Sequence, residues 1–138
     1  MMRFLLDTNA VIAALDSQAP VFANRLRQHL PYEIGLSSIV IYELFYGAFK
    51  SQRRERNLAL IDNLQFKVIE FDKEDARQAG EIRAYLTTKE LPIGTYDVLI
   101  AGQAKARNLT LVTNNTREFE RVPGLSIENW LTQPQANV

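Results

Sequence analysis

The chain opens with Arg3-Phe4-Leu5-Leu6-Asp7-Thr8-Asn9-Ala10, and this segment already indicates the fold class. Residues 3–6 form a short and mostly apolar segment, which is typical of a short buried strand. Asp7 ends the apolar run, and residues 10–15 have the pattern of a helix start. A strand that leads directly into a helix is the unit from which α/β proteins are built.

The same unit recurs along the rest of the chain. Further strands are predicted at residues 34–37, 68–71, 109–113 and 125–127. Helices are predicted at residues 39–49, 53–64, 73–87 and 96–107, with a short helical turn at Phe119. This alternation predicts an α/β fold in which a parallel β-sheet of four to five strands is flanked by helices on both faces. We expect a single domain over residues 1–138.

Three polar residues are predicted to cap helices. Ser38 and Thr95 precede two of the helical segments, and Asp72 precedes a third. Asp75, three residues after Asp72, completes a pattern that resembles a capping box.

Composition excludes several classes of protein. Hydrophobic residues make up 46% of the chain, as in a globular domain. There are no cysteines, so disulfides and thiolate metal sites are impossible, and a reducing cytoplasm is the expected location. The start of the chain does not resemble a signal peptide, and no apolar run is long enough for a membrane helix. The 16 basic and 16 acidic residues balance. The single histidine, His29, is interpreted as an ordinary surface residue.

Ligand sites on parallel sheets lie beyond the carboxyl ends of the strands. Polar residues follow four predicted strands at these ends, namely Asp7-Thr8-Asn9, Ser37-Ser38, Asp72 and Thr113-Asn114-Asn115. Asp7 is therefore a candidate ligand, although it could instead cap the following helix. Thr8 and Asn9 could do that capping and leave Asp7 free.

Two further acids occupy unusual positions on predicted helices. Glu43 has only Ile39, Val40, Tyr46 and Gly47 at helical spacing, so no basic side chain on its own helix could pair with it. The alternative is that Glu43 lies at the edge of that face and reaches water. Asp97 lies in the first turn of its helix, where the helix dipole alone would favour an acid.

Three acids from separate segments, without cysteine or clustered histidine, suit a hard cation such as Mg²⁺, with Mn²⁺ as a substitute. Such an ion could activate a water molecule for phosphodiester cleavage. We therefore expect the carboxylates of Asp7, Glu43 and Asp97 to face one cleft.

Four blocks of this sequence, in order and covering nearly the whole chain, resemble the PIN-domain nucleases, and in particular the VapC-type toxins of bacterial toxin–antitoxin pairs. The blocks are Phe4-Leu5-Leu6-Asp7-Thr8-Asn9, Ser37-Ser38-Ile39-Val40-Ile41-Tyr42-Glu43-Leu44 with Gly47, Pro92-Ile93-Gly94-Thr95-Tyr96-Asp97 with Ile100-Ala101, and Thr113-Asn114-Asn115-Thr116-Arg117-Glu118-Phe119 with Val122-Pro123-Gly124-Leu125 and Glu128-Asn129-Trp130.

The resemblance implies a magnesium-dependent endoribonuclease that cuts cellular RNA, for some members tRNA, by attack of a metal-activated water. It also implies a VapB-like antitoxin partner and a homodimer. Asp7, Asp97 and Glu43 would bind the metal, with hydrogen-bonding support from Thr8, Asn9 and Thr113. Asn115 stands where some members have a fourth acid, so either Glu118 or Asn115 completes the site. Candidate RNA contacts are Arg53, Arg54, Arg56 and Arg117.

Two other classes of protein remain as alternatives. One is a catalytically silent PIN-like module that binds RNA or protein. The other is a phospho-acceptor domain of the receiver type, which needs a lysine after a late strand. Here Asn114-Asn115 and Glu128-Asn129 follow the last two predicted strands.

Overall fold

The computed structural model describes residues 1–15 and 19–131. Within these ranges the strands are β1 (Phe4–Leu6), β2 (Ile34–Ser37), β3 (Lys67–Ile69), β4 (Thr110–Val112) and β5 (Ile127–Glu128). They form one sheet in the order β3-β2-β1-β4-β5, and every neighbouring pair is parallel. The predicted parallel sheet is confirmed.

Helices connect the strands throughout the described residues. They are α1 (Thr8–Leu15), α2 (Pro20–Arg27), α3 (Ser38–Lys50), α4 (Arg54–Asp62), α5 (Lys73–Thr88), α6 (Thr95–Ala106) and α7 (Thr116–Phe119). The chain runs outward from β1 through β2 to β3, and then crosses back past β1 to β4. Crossovers between parallel strands are right-handed, so this reversal puts the helices of the two halves on opposite faces of the sheet. None of these helices combines the length and apolarity that crossing a bilayer requires.

The core lies on the central strands. Every residue of β1 and β2 is buried, as expected for strands that are covered on both faces. Trp130 and Phe22 are among the largest fully buried side chains, and their ring centroids lie 5.9 Å apart. Trp130 also stacks on His29, with centroids 5.0 Å apart and ring planes 11° apart. The interpretation of His29 as an ordinary surface residue is therefore wrong.

Two of the predicted caps are displaced by one residue. The Ser37 hydroxyl, and not that of Ser38, accepts a hydrogen bond from the backbone N–H of Ile39 at 3.1 Å. Ser38 instead accepts from the backbone N–H of Phe71, next to β3. The cap of α6 is Gly94, so Thr95 is already the first residue of that helix. Helix α2 and a 3₁₀ turn at Pro31–Glu33 were not predicted.

Helices α5 and α6 form a close pair that fixes the start of α6. The reciprocal cap between Asp72 and Asp75 is confirmed. Burial opposes ionisation of Asp75, but hydrogen bonds led by that from Arg107 outweigh it and lower the pKa of this carboxyl. Gly102 has no room for a side chain, because a Cβ there would lie 2.6 Å from the backbone of Ala79. This contact sets the spacing of the two helices.

Candidate active site

The candidate site lies where the strand order reverses. Leu6 at the end of β1 is in register with Val112 at the end of β4, so Asp7 and Thr113 emerge side by side. The N–H of Asp7 still donates to the carbonyl of Val112, at 3.1 Å. Such a reversal leaves a crevice beyond the strand ends, which is the usual ligand position in open α/β sheets.

Asp7 is almost completely buried, with 4% of its surface exposed. Its Oδ1 accepts a hydrogen bond from the N–H of Ala10 at 2.8 Å, so this side chain caps α1. Burial raises the pKa of Asp7, hydrogen bonds from Thr113 and Ala10 oppose the rise, and the charge of Glu43 adds to it. Asp7 therefore caps α1 and at the same time lies close to another acid, Glu43.

Glu43 is half-buried in the second turn of α3. The hydroxyl of Thr8 donates to its Oε1 at 2.8 Å, across 35 positions of the chain. This hydrogen bond holds the Glu43 carboxylate toward the end of β1. Thr8 thus supports Glu43, whereas its predicted neighbour Asn9 is exposed in the first turn of α1.

Among these carboxyl groups, that of Asp97 has the pKa that departs most from its usual value. It is half-buried in the first turn of α6, and its pKa is raised to about 6 by burial first and then by the charges of Asp7, Glu118 and Glu43. Charges exert such an effect only on a nearby group. A Cβ at position 94 would lie 3.0 Å from the Asp97 Oδ2, so Gly94 leaves room for this carboxylate.

Glu118 and Asn115 are joined to each other. The side-chain amide of Asn115 donates to Oε2 of Glu118, and the Asn115 N–H donates to the Thr113 hydroxyl at 2.9 Å. Asn115 therefore orients Glu118, whose charge acts on Asp97. Sequence reasoning left Asn115 and Glu118 as alternatives, and the structure makes them partners.

The four carboxylates form a region of uncompensated negative charge. Among residues 1–15 and 19–131, none of the four pairs with a lysine, arginine or histidine. In the same ranges, no three acidic or histidine side chains stand close enough to ligate one ion as they are placed. The donor chemistry fits a hard cation, because such ions prefer carboxylate oxygens as ligands.

A groove of about 470 Å³ leads away from this region, between α1, α3 and α4. Thr8 and Glu43 line it beside the acids, Arg56 lines it on α4, and much of the remaining wall is apolar, including Ile12, Leu15, Leu44, Leu60 and Ile61. Of the four predicted arginine contacts, Arg56 alone lines this groove. Arg53 and Arg54 are exposed at the start of α4, and Arg117 is exposed on α7.

Sequence reasoning missed two tyrosines beside the acids. Tyr42 directly precedes Glu43, and Tyr96 directly precedes Asp97. Their hydroxyls lie 3.3 Å apart and their ring centroids 5.5 Å apart. The hydrogen bond that Tyr96 donates to Tyr42 is the main cause of a raised pKa at Tyr96. The available signal was the repeated Tyr-acid dipeptide.

Comparison with known proteins gives concordant results. A family model of the PIN domain matches residues 4–125. The tRNA(fMet)-specific endonuclease VapC of Salmonella typhimurium is 42% identical over 132 residues, which is 94% of this chain and 99% of that protein. Ribonuclease VapC2 of Rickettsia felis is 40% identical over 132 residues, with coverage of 94% and 98%.

Solved structures agree with these relatives. DNA-bound VapBC from Salmonella typhimurium superposes with a TM-score of 0.89 at 42% identity, covering 94% of this chain and 99% of that one. VapBC2 from Rickettsia felis, bound to a DNA fragment from its promoter, superposes with a TM-score of 0.85 at 39% identity. The match covers 94% of this chain and 99% of that one.

Proposed function

This chain belongs to the PIN-domain family, and we propose that it is a magnesium-dependent endoribonuclease of the VapC type, neutralised by a VapB-like antitoxin and acting on RNA in the cytoplasm. The observation that carries the proposal is the grouping of Asp7, Glu43, Asp97 and Glu118 at the adjoining ends of β1 and β4, where no lysine, arginine or histidine of residues 1–15 and 19–131 pairs with them. Burial and the three neighbouring charges raise the pKa of Asp97 there. A site that tolerates such crowding gains most from a bound cation. The endonuclease VapC of Salmonella typhimurium and ribonuclease VapC2 of Rickettsia felis align with this chain over nearly their whole length.

Asp7, Glu43 and Asp97 would hold the magnesium ion, with Mn²⁺ as a substitute, and Glu118 would complete the site directly or through water. When bound, the ion would acidify a water molecule and neutralise charge on the phosphate oxygens. The chain itself supplies position and charge.

The supporting residues limit how far each carboxylate can move. Thr8 holds Glu43, and Thr113 with the Ala10 N–H holds Asp7. The side-chain amide of Asn115 holds Glu118. Hydrogen bonds of this kind fix the direction of a ligand oxygen and are typically worth 10- to 100-fold in activity or metal affinity.

The groove beside Glu43 suits the antitoxin. Its apolar wall can bury one face of an extended or helical segment, and the half-buried carboxylate of Glu43, which lines the groove, can pair with a basic side chain. A segment seated there would block the approach to the acids. The structures from Salmonella typhimurium and Rickettsia felis that superpose on this chain are VapBC structures.

An RNA cleavage assay with the purified protein tests the function. The full chain should cut single-stranded RNA or tRNA in Mg²⁺, and excess chelator should stop the reaction. Asp7→Asn, Glu43→Gln and Asp97→Asn should each lose activity, whereas Asp62→Asn, an exposed acid at the end of α4, should keep it. Absent cleavage would favour the catalytically silent module, whereas cleavage that continues in excess chelator would refute the metal dependence.

Sequencing of RNA ends after brief expression identifies the substrate. A tRNA-specific enzyme leaves new ends in one or a few tRNAs, and the same ends must be missing with the Asp97→Asn variant. Co-expression with a cognate VapB-like antitoxin should suppress them. A homodimer, also proposed from the resemblance, is checked by sedimentation of the purified chain.

A further inference from the structure

Tyr42 and Tyr96 meet at the candidate site without serving the core. They come from α3 and α6, lie 54 positions apart in the chain, and are 53% and 41% exposed. Their contact with each other consists of tilted rings and one hydroxyl-to-hydroxyl hydrogen bond. Each ring therefore keeps a face in water, next to the acids Glu43 and Asp97.

An exposed aromatic pair costs hydration free energy unless a ligand covers it. Unpaired RNA bases are recognised largely by stacking on aromatic side chains, because the bases of a duplex are not accessible to such contacts. Tyrosine suits this role since its ring is flat and rigid while its hydroxyl remains hydrated.

We propose that Tyr42 and Tyr96 form a stacking site for an unpaired base of the RNA substrate, which places the adjoining phosphate at the carboxylates. This inference rests on the proposed function and specifies how the substrate is held. It predicts that the enzyme needs a single-stranded segment at the cut and has little affinity for the same sequence in a duplex.

The outer face of α3 continues this surface away from the acids. Tyr46 and Phe49 follow Tyr42 at helical spacing and are both more than half exposed. A cation lies over each ring, Lys50 at 4.7 Å from the Tyr46 centroid and Arg54 at 6.0 Å from the Phe49 centroid. Rings interleaved with basic side chains suit a single-stranded backbone, whose phosphates the cations neutralise while its bases stack.

A second copy of the chain is the other occupant that an aromatic face could have. The charges favour RNA. A two-fold contact centred on Tyr42 and Tyr96 would bring the acids of both copies together, and like charges across an interface are costly. A base is neutral, and phosphates further along the strand meet the basic side chains Lys50 and Arg54 on α3.

Binding of RNA without catalysis tests the stacking site. The full chain is titrated into a fluorescently labelled single-stranded RNA of about ten nucleotides in excess chelator, and anisotropy reports the dissociation constant. Tyr42→Ala and Tyr96→Ala should each weaken binding by roughly 5- to 100-fold, the range for loss of one stacked base. Tyr96→Phe, which keeps the ring, should stay within about twofold, whereas Tyr96→Leu, which keeps only apolar bulk, should behave like alanine.

Tyr85→Ala is the matched control. Tyr85 is 41% exposed, as is Tyr96, and like Tyr46 it lies beneath a lysine, but it belongs to α5. Its replacement should leave the dissociation constant unchanged. In Mg²⁺, the Tyr96→Ala variant should show a raised KM for RNA and a lower kcat/KM, whereas Tyr96→Phe should keep both near the wild-type values.

Outcomes separate this inference from the proposed function. A wild-type chain that cleaves RNA in Mg²⁺ while its alanine variants bind single strands normally overturns the stacking site alone. Equal losses for single-stranded and duplex RNA also overturn it. If Tyr42→Ala and Tyr96→Ala convert a dimer into monomers and leave RNA affinity unchanged, the surface is a contact between copies. A wild-type chain that never cleaves RNA refutes the function itself.

Discussion

Replacing Asp97 by asparagine should stabilise the protein in the absence of metal while it destroys activity. The pKa of Asp97 is raised from 3.8 to about 6, chiefly by burial and then by the charges of three other acids. An ionised carboxylate whose pKa lies about two units above its unfolded value costs the folded state about 3 kcal/mol. The side chain is half-buried, so solvent screening leaves an expected gain of about 1–3 kcal/mol.

This gain has a definite pH dependence. The folded-state pKa lies above the unfolded one, so folding takes up a proton between about pH 4 and pH 6. The penalty from Asp97 is therefore complete above pH 6 and disappears as the pH falls toward 4. Asp97→Asn should raise the melting temperature by about 3–10 °C at pH 8, and the advantage should shrink to about 1–2 °C at pH 4.

Activity should change in the opposite direction. Asparagine keeps the size of the side chain but supplies no charge to a magnesium ion. Loss of a metal ligand should lower the cleavage rate by more than about 100-fold, which is the upper end of the effect of losing an outer hydrogen-bond partner. Magnesium should also raise the melting temperature of the wild type more than that of the variant, because ligand binding stabilises the folded state in proportion to affinity.

The assay pairs thermal melting with single-turnover cleavage at matched protein concentration. Asp62→Asn makes the same chemical change at an exposed position and should shift neither quantity, beyond about 0.5 kcal/mol in stability. Wild-type cleavage by Asp97→Asn would refute the catalytic reasoning. A variant that melts below the wild type at pH 8 without metal would refute the electrostatic reasoning.

Three other predictions concern support, packing and metal. Thr8→Val removes the hydroxyl that holds Glu43 and should lower single-turnover cleavage by about 10- to 100-fold while the melting temperature changes little; normal cleavage would show that this hydrogen bond is dispensable. Gly102→Ala should destabilise the protein by at least about 1–3 kcal/mol in urea unfolding, because its Cβ meets the α5 backbone, whereas Gly80→Ala, which meets nothing, should stabilise α5 by about 0.5–1 kcal/mol; equal effects would refute the packing argument. Chelation should abolish cleavage and leave a folded protein, and readdition of Mg²⁺ or Mn²⁺ should restore activity; failure of both ions to do so would exclude a simple oxygen-ligand site.

Local patterns were sufficient for most elements of the fold. A short apolar run bounded by polar residues identified each strand, and the Asp72 and Asp75 pair identified the start of α5, since both signals involve residues that are neighbours in the chain. Displaced caps show the limit of such reasoning. Two adjacent serines, Ser37 and Ser38, are equally able to cap α3, and the backbone N–H of Phe71 decides between them by engaging Ser38.

Helix α2 shows why some elements were missed. It begins with Pro20 at its first turn, has no side-chain cap, and has Phe22 as its fully buried residue. Phe22 packs near Trp130, which lies more than a hundred positions later in the chain. No window of local sequence contains that partner, so neither this helix nor the stacking of His29 could be predicted.

The sequence by itself determined which acids are candidates and that Asp7 and Thr113 each follow a strand. Tertiary structure decided that these two strands are neighbours, because the order of the sheet reverses between β1 and β4. It also decided the pKa of Asp97, since a charge acts through space on groups that burial brings near it. The physical reason is the same in each case: local pattern fixes the conformation of a segment, whereas electrostatics and packing depend on distances between segments that only the assembled core defines.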